Sequence, residues 1–171
     1  MTTGQKIEEL RKKSQEEYAR GSYEDGIASS LELIELLDES SVHQRMLAFQ
    51  WELAARMYLQ MNQPLKAEAA ARNSLDTYLR YKRADAHGWD PENDSYLADF
   101  RMTLALSLAY QKRYAEAMQY AEQWEKTHLK MRGPDDPYVK EVVARHMKRM
   151  RARLAGVAVP ENDPNHSVSK S

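Results

Sequence analysis

Residues Trp51 to Leu75, WELAARMYLQMNQPLKAEAAARNSL, constrain the fold more than any other stretch, because they read as two amphipathic helices joined by a very short turn. Trp51, Ala54, Ala55 and Tyr58 fall at spacings of three, one and three, which aligns two rings and two small residues along one helical stripe. The second helix answers with Ala67, Ala70, Ala71 and Ser74, a low surface against which the rings of the first can pack closely. Asn62, Gln63 and Pro64 make the turn, and Pro64 can open a helix because its missing N–H would be unpaired there in any case. The expected unit is a helical hairpin.

The rest of the composition narrows the class. A chain of 171 residues with 42% hydrophobic content suits one domain with a sizeable core. Charged residues make up 30% and the net charge is −1, so no global pull toward nucleic acid or an acidic membrane surface is expected. Without cysteine there are no disulfides, thiolate metal sites or cysteine nucleophiles. No apolar run approaches the roughly 20 residues of a membrane span, and MTTGQKIEELRKK lacks the apolar core of a signal peptide. The expectation is a soluble, cytoplasmic protein.

Taken in order, Ile7, Leu10, Ser14 and Tyr18 mark a first helix that follows a few loose residues and stops at Gly21 and Ser22. Tyr23, Ile27, Ser30, Leu31, Ile34 and Leu37 mark the second. Ser40 or Ser41 is the expected N-cap of the third helix, which carries Val42, Met46, Leu47, Trp51 and Tyr58 toward the core. The fourth runs from Pro64 into the low eighties, a polar loop follows, and Asp90 or Asp94 caps the fifth. Phe100, Leu104, Ala105 and Leu108 pack from the fifth helix; after Lys112 and Arg113, the sixth contributes Tyr114, Ala117, Met118, Ala121 and Trp124. Asp136 and Pro137 open a seventh helix carrying Val139, Val143, Met147, Met150 and Leu154. Residues 156–171 are rich in Pro, Asn and Ser and read as a disordered tail behind a helical domain of residues 1–155.

The hairpin at Trp51, the segment GSYEDGIASSLELIEL and the segment RYAEAMQYAEQW resemble tetratricopeptide (TPR) repeats. Aligning Gly26, Ala67 and Ala117 gives intervals of 41 and 50 residues against the roughly 34 of an ordinary repeat, and with GPDDPYV this resembles the extended repeats of kinesin light chains. The resemblance implies an all-α, right-handed α-α superhelix of three hairpins with the seventh helix as C-terminal cap. It also implies a peptide-binding groove lined by the first helix of each hairpin. Carried onto this chain, the groove takes Glu8, Arg11, Lys12 and Gln15, then Phe49, Glu52, Leu53, Arg56 and Gln60, then Asp99, Met102, Thr103, Leu106 and Tyr110. The Lys, Arg and Asn clamp that some TPR proteins use for chaperone tails is not reproduced, since Leu53 and Thr103 replace its donors and Asp99 reverses a charge.

No constellation for catalysis, metal or cofactor emerges. His43, His87, His128, His146 and His166 lie on separate segments and read as exposed or capping residues, and Glu8, Glu9, Glu16 and Glu17 read as a solvated face. Most methionines fall on core stripes, and only Met102 points toward the groove. The function expected is a noncatalytic adaptor that binds a peptide or helix of another protein. The alternatives are a regulatory, small-ligand-sensing helical domain or a small secretion-type chaperone. Charge is uneven at the two ends: Met1 to Ser40 carries five basic and ten acidic residues, whereas Tyr138 to Ala155 carries six basic and one acidic. Arg145, Lys148 and Arg151 share one face of the last helix. They form a basic patch expected to adjoin the groove and attract an acidic segment of a partner, or a second copy head to tail. Nucleic acid fits less well, because no aromatic residues interleave with these charges.

Overall fold

The computed structural model describes residues 2–38, 43–85 and 88–156, and within them the chain is all-α, with seven helices and no strand. These are α1 (Thr3–Arg20), α2 (Tyr23–Asp38), α3 (Gln44–Gln60), α4 (Pro64–Asp85), α5 (Ser95–Tyr110), α6 (Tyr114–Arg132) and α7 (Ala144–Leu154). Each packs chiefly on the helix before it and the helix after it, so contacts pass along the chain from neighbour to neighbour. Thinner contacts join α1 to α3 and α3 to α5. None of these helices is long and apolar enough to cross a membrane.

The three hairpins turn in the same way. Gly21, Asn62 and Lys112 hold left-handed φ angles of 79°, 54° and 61°. The amide after each, on Ser22, Gln63 and Arg113, donates back to the carbonyls of Glu17, Tyr58 and Leu108 at 2.9, 2.8 and 3.0 Å. That bond from one side of the turn to the other is the longer of the two in a Schellman cap. Four residues on, Gly26, Ala67 and Ala117 donate to the carbonyls of Ser22, Gln63 and Arg113 and so begin the following helix. The 41- and 50-residue intervals read from side chains are therefore repeated in the backbone hydrogen bonds.

Small residues at these positions allow close approach. Ala67 and Ala117 are fully buried. A Cβ on Gly26 would lie 2.6 Å from Met57 Sδ, inside van der Waals contact, so α2 meets α3 there only because the side chain is missing. Burial divides into two clusters. Ile7, Leu10, Leu33, Ile34, Leu37 and Leu47 form the smaller, and the larger runs from Ala48 to Met150 through α3, α4, α5, α6 and α7. Trp51 packs against both, half-buried at their junction where full burial was expected. A buried polar node lies beside it: the Gln50 amide donates to Ser14 Oγ at 3.0 Å and to Ser30 Oγ at 2.7 Å, joining α3 to both helices of the first hairpin.

Several element ends differ from the sequence reading. α1 starts at Thr3, with Thr2 and Gln5 forming a capping box, so the residues before Ile7 are helical. α3 starts at Gln44 behind His43, whose side chain makes no cap. The expected caps Ser40 and Ser41, the core position Val42, and residues 157–171 of the expected tail lie outside the described residues. Both candidate caps before α5 are used, Asp90 on a short 3-10 turn at Pro91–Asn93 and Asp94 on α5 itself. Asp136 Oδ1 accepts from the Tyr138 and Val139 amides at 2.9 and 3.4 Å, but a π-turn at Val139–Val143 then precedes α7. Val139, Val143, Met147 and Met150 are buried as expected, whereas Leu154 is exposed because the helix ends beyond the rim of the core.

Candidate functional site

Helices α1, α3 and α5 together line an open cleft of about 930 Å³. Alternate helices meet there because each hairpin returns the chain, so the first helix of every pair falls on the same side. From α1 come Glu8, Arg11 and Gln15, while Lys12, expected with them, is exposed and not part of the lining. From α3 come Phe49, Glu52, Leu53 and Arg56, and from α5 comes Asp99.

The remaining expected groove residues lie elsewhere. Met102 and Thr103 are buried: Thr103 donates to Glu52 of α3, and Met102 packs within the larger apolar cluster. Gln60 and Leu106 are half-buried and Tyr110 is exposed, and none of the three lines the cleft. Arg145 and Lys148 are exposed on α7, and Arg151 Nη2 pairs with Glu125 Oε2 of α6 at 2.7 Å. None of the basic patch lines the cleft, so its expected continuity with the groove is corrected. The solvated reading of Glu17 is also corrected, since it is half-buried and accepts from Ser29 Oγ at 2.8 Å.

Sequence reasoning missed His43, Arg45, Met46 and Tyr96, which lie at one end of the cleft. The signal was present: Arg45 stands one turn before Phe49 and two before Glu52, and Tyr96 one turn before Asp99, on the same helical stripes. The Arg45 guanidinium carbon lies 5.6 Å from the Phe49 ring centre and 6.0 Å from that of Tyr96, a cation–π arrangement. Phe49 in turn meets Tyr96, Phe100 and Tyr78 edge to face at 5.0, 5.2 and 6.2 Å, which fixes the aromatic support.

The other end is ionic. Glu52 is 4% exposed; its Oε1 accepts from Arg56 Nε at 2.9 Å and from Thr103 Oγ1, while its buried Oε2 has no partner. Burial raises its pKa, and the Arg56 charge and the bonds from Thr103 and Arg56 oppose that rise without cancelling it. Asp99 Oδ1 accepts from Trp124 Nε1 at 3.2 Å. His128 Nε2 stands 3.5 Å from the same oxygen, too far for good hydrogen-bond geometry, with its ring packed against Trp124 and Tyr138. At 3% exposure His128 is a core residue, not the exposed or capping histidine expected.

A second, smaller recess beside α4 is structural. Its Asp94 carboxylate accepts from the Tyr78 hydroxyl at 3.0 Å, Trp89 Nε1 at 2.9 Å and the Leu97 amide at 3.0 Å, with Lys82 Nζ at 3.7 Å. Those partners saturate it. Among the described residues no group of His, Asp or Glu is placed to hold a metal ion. Compared with known proteins, the chain matches no family model, and no curated protein aligns with it significantly.

Proposed function

We propose that this protein is a noncatalytic adaptor that holds a segment of a partner protein in the cleft between α1, α3 and α5. In this reading the three hairpins are TPR-type repeats in a right-handed superhelix, the cleft is their concave face, and α7 closes the open end of the stack. Support comes from the shared turn geometry at Gly21, Asn62 and Lys112, with small residues at Gly26, Ala67 and Ala117. The observation that carries the function is the cleft itself: one helix from each hairpin contributes to it, and it mixes aromatic, aliphatic and charged side chains. A small-ligand sensor would need several unpaired polar groups converging on one point. Here Arg11 is taken by Glu8 and Arg56 by Glu52, while Arg45 and the partly exposed Asp99 stand about two turns apart instead of converging.

Photo-crosslinking tests the reading. A benzophenone amino acid in place of Leu53, half-buried in the cleft, should give protein-sized adducts in the native cell, and the same group at exposed Asp76 of α4 should not. Adducts of equal yield from both positions, or none from Leu53, would overturn it.

A further inference from the structure

Three arginines line the cleft, and two of them already have carboxylate partners. Glu8 holds Arg11 at 2.6 and 3.0 Å, and Glu52 holds Arg56 at 2.9 Å. Arg45 differs. It is exposed, it rests on Phe49 and Tyr96, and among the described residues no carboxylate pairs with it. At the opposite end the excess has the other sign. Arg56 pairs with Glu52 at 2.9 Å, and Asp99 adds a second negative charge nearby. Glu52 Oε2 has no donor, and in front of it Asp99 is 42% exposed, with only Oδ1 engaged by Trp124. Arg45 and Glu52 are seven residues apart on α3, a separation of about 10 Å along a helix. Phe49 stands between the two charged ends, and Leu53 lies beside Glu52.

We propose that the cleft takes an extended segment of a partner protein that sets an acidic side chain on Arg45 and, about 10 Å further along, a Lys or Arg on the partly exposed Asp99 beside buried Glu52, with an apolar residue between them on Phe49. This rests on the peptide-binding reading above and adds the chemistry and direction of the occupant. The Arg45 guanidinium rests by the Phe49 and Tyr96 rings, so an incoming carboxylate meets a partly ordered partner and less side-chain freedom is lost. An incoming cation meets the Asp99 carboxylate, whose Oδ1 alone is engaged by Trp124, with the buried Glu52 carboxylate close by. A segment with the charges reversed would set like against like at both ends, which selects direction as well as sequence.

A random peptide library displayed on phage and panned on the full chain tests this. Wild type should enrich peptides with an acidic and a basic residue about three positions apart, the spacing an extended chain needs to span the two ends. Arg45→Glu should exchange the acidic position for a basic one, Arg45→Gln should lose only the acidic preference, and Asp99→Asn, which keeps an acceptor for Trp124, should lose only the basic one. A synthetic wild-type consensus should bind Arg45→Gln at least about tenfold more weakly. Peptides enriched without a fixed acid–base spacing, or identically by wild type and both Arg45 variants, would overturn the inference while leaving peptide binding intact. No enrichment on wild type above a cleft-blocked Leu53→Arg protein would instead overturn the proposed function.

Discussion

Thr103 of α5 donates its hydroxyl to the buried Glu52 carboxylate of α3, closing the cleft floor across 51 residues of chain. Among the described residues, this bond and that from Arg56 are the hydrogen bonds Glu52 accepts, and its second oxygen has no partner. Thr103→Val keeps the shape and removes the donor, so it should cost about 1.5–3 kcal/mol, the range for hydrogen bonds to charged groups. Urea melts measure it. Because burial raises the Glu52 pKa above its ordinary 4.5, the folded chain binds this proton more tightly than the unfolded chain. The stability Glu52 adds is therefore present below 4.5 and lost as pH rises toward the raised folded value. Glu52→Gln cannot titrate, so wild type should lose stability relative to it with rising pH. A difference that is flat or grows with pH would show that the carboxylate is well solvated.

Gly26→Ala adds a methyl 2.6 Å from Met57 Sδ, with Glu17 Cβ at 3.4 Å on its other side. Alanine alone would favour a helix by about 1 kcal/mol, but overpacking costs about 1–3 kcal/mol, so a net loss of about 1 kcal/mol is expected. Met57→Ala, at about 2–5 kcal/mol, removes the clashing atom. The overpacking term of about 2 kcal/mol vanishes in the double variant, which should therefore lose about 2 kcal/mol less than the sum of the single changes. Strict additivity would mean that the two helices do not meet there.

Much of this fold was legible because helix breakers and periodicity agree. Gly21-Ser22 and Asn62-Gln63-Pro64 mark turns that the structure keeps, and the stripes through Ala54, Ala67 and Ala117 are the buried ones. The start of α1 was misread as loose, although Thr2 and Gln5 stand at capping-box spacing. Other features depend on contacts distant in sequence. Nothing local to Thr103 says that α5 will press it onto Glu52, and nothing near His128 says that Trp124 and Tyr138 will enclose it. The π-turn is hidden for a different reason: Val139, Val143 and Met147 recur every four residues, a spacing that an uninterrupted α-helix also satisfies. The cleft was read about one turn too far along α3 and about two to three turns too far along α5, which brought in Gln60, Leu106 and Tyr110 and left out Arg45 and Tyr96.

Trp51 is the large side chain that touches both apolar clusters. Trp51→Ala should cost about 3 kcal/mol, the low end for a buried ring, because part of the indole already meets solvent. It should also separate the clusters. The remaining tryptophans, Trp89 and Trp124, belong to the larger cluster, so their fluorescence reports only that part, while circular dichroism reports every helix. In the variant the two probes should unfold at different urea concentrations, with helicity lost first. Coincident transitions would show that the Gln50 node alone suffices to couple the first hairpin to the rest.

Glu68 provides the opposite titration. Its Oε2 accepts from Gln111 Nε2 at 2.8 Å and Arg113 Nη1 at 2.7 Å, and its Oε1 from Arg72 Nη2 at 2.7 Å, which ties α4 to the turn where Lys112 is held left-handed. Burial pushes this carboxyl up, but the bonds from Gln111 and Arg72 and the charge of Arg113 outweigh it, and the pKa falls below the ordinary 4.5. A lowered pKa in the folded state contributes stability that is present above 4.5 and lost as pH drops toward the folded value. Glu68→Ala should cost about 1–2 kcal/mol at neutral pH, less than a fully buried network because Arg113 is partly solvated. That cost should shrink in acid, whereas the penalty for keeping Glu52 ionised grows with rising pH. Melts of the two variants beside wild type across the acid range should therefore give difference curves of opposite slope, and parallel curves would mean that one of these carboxylates is misassigned.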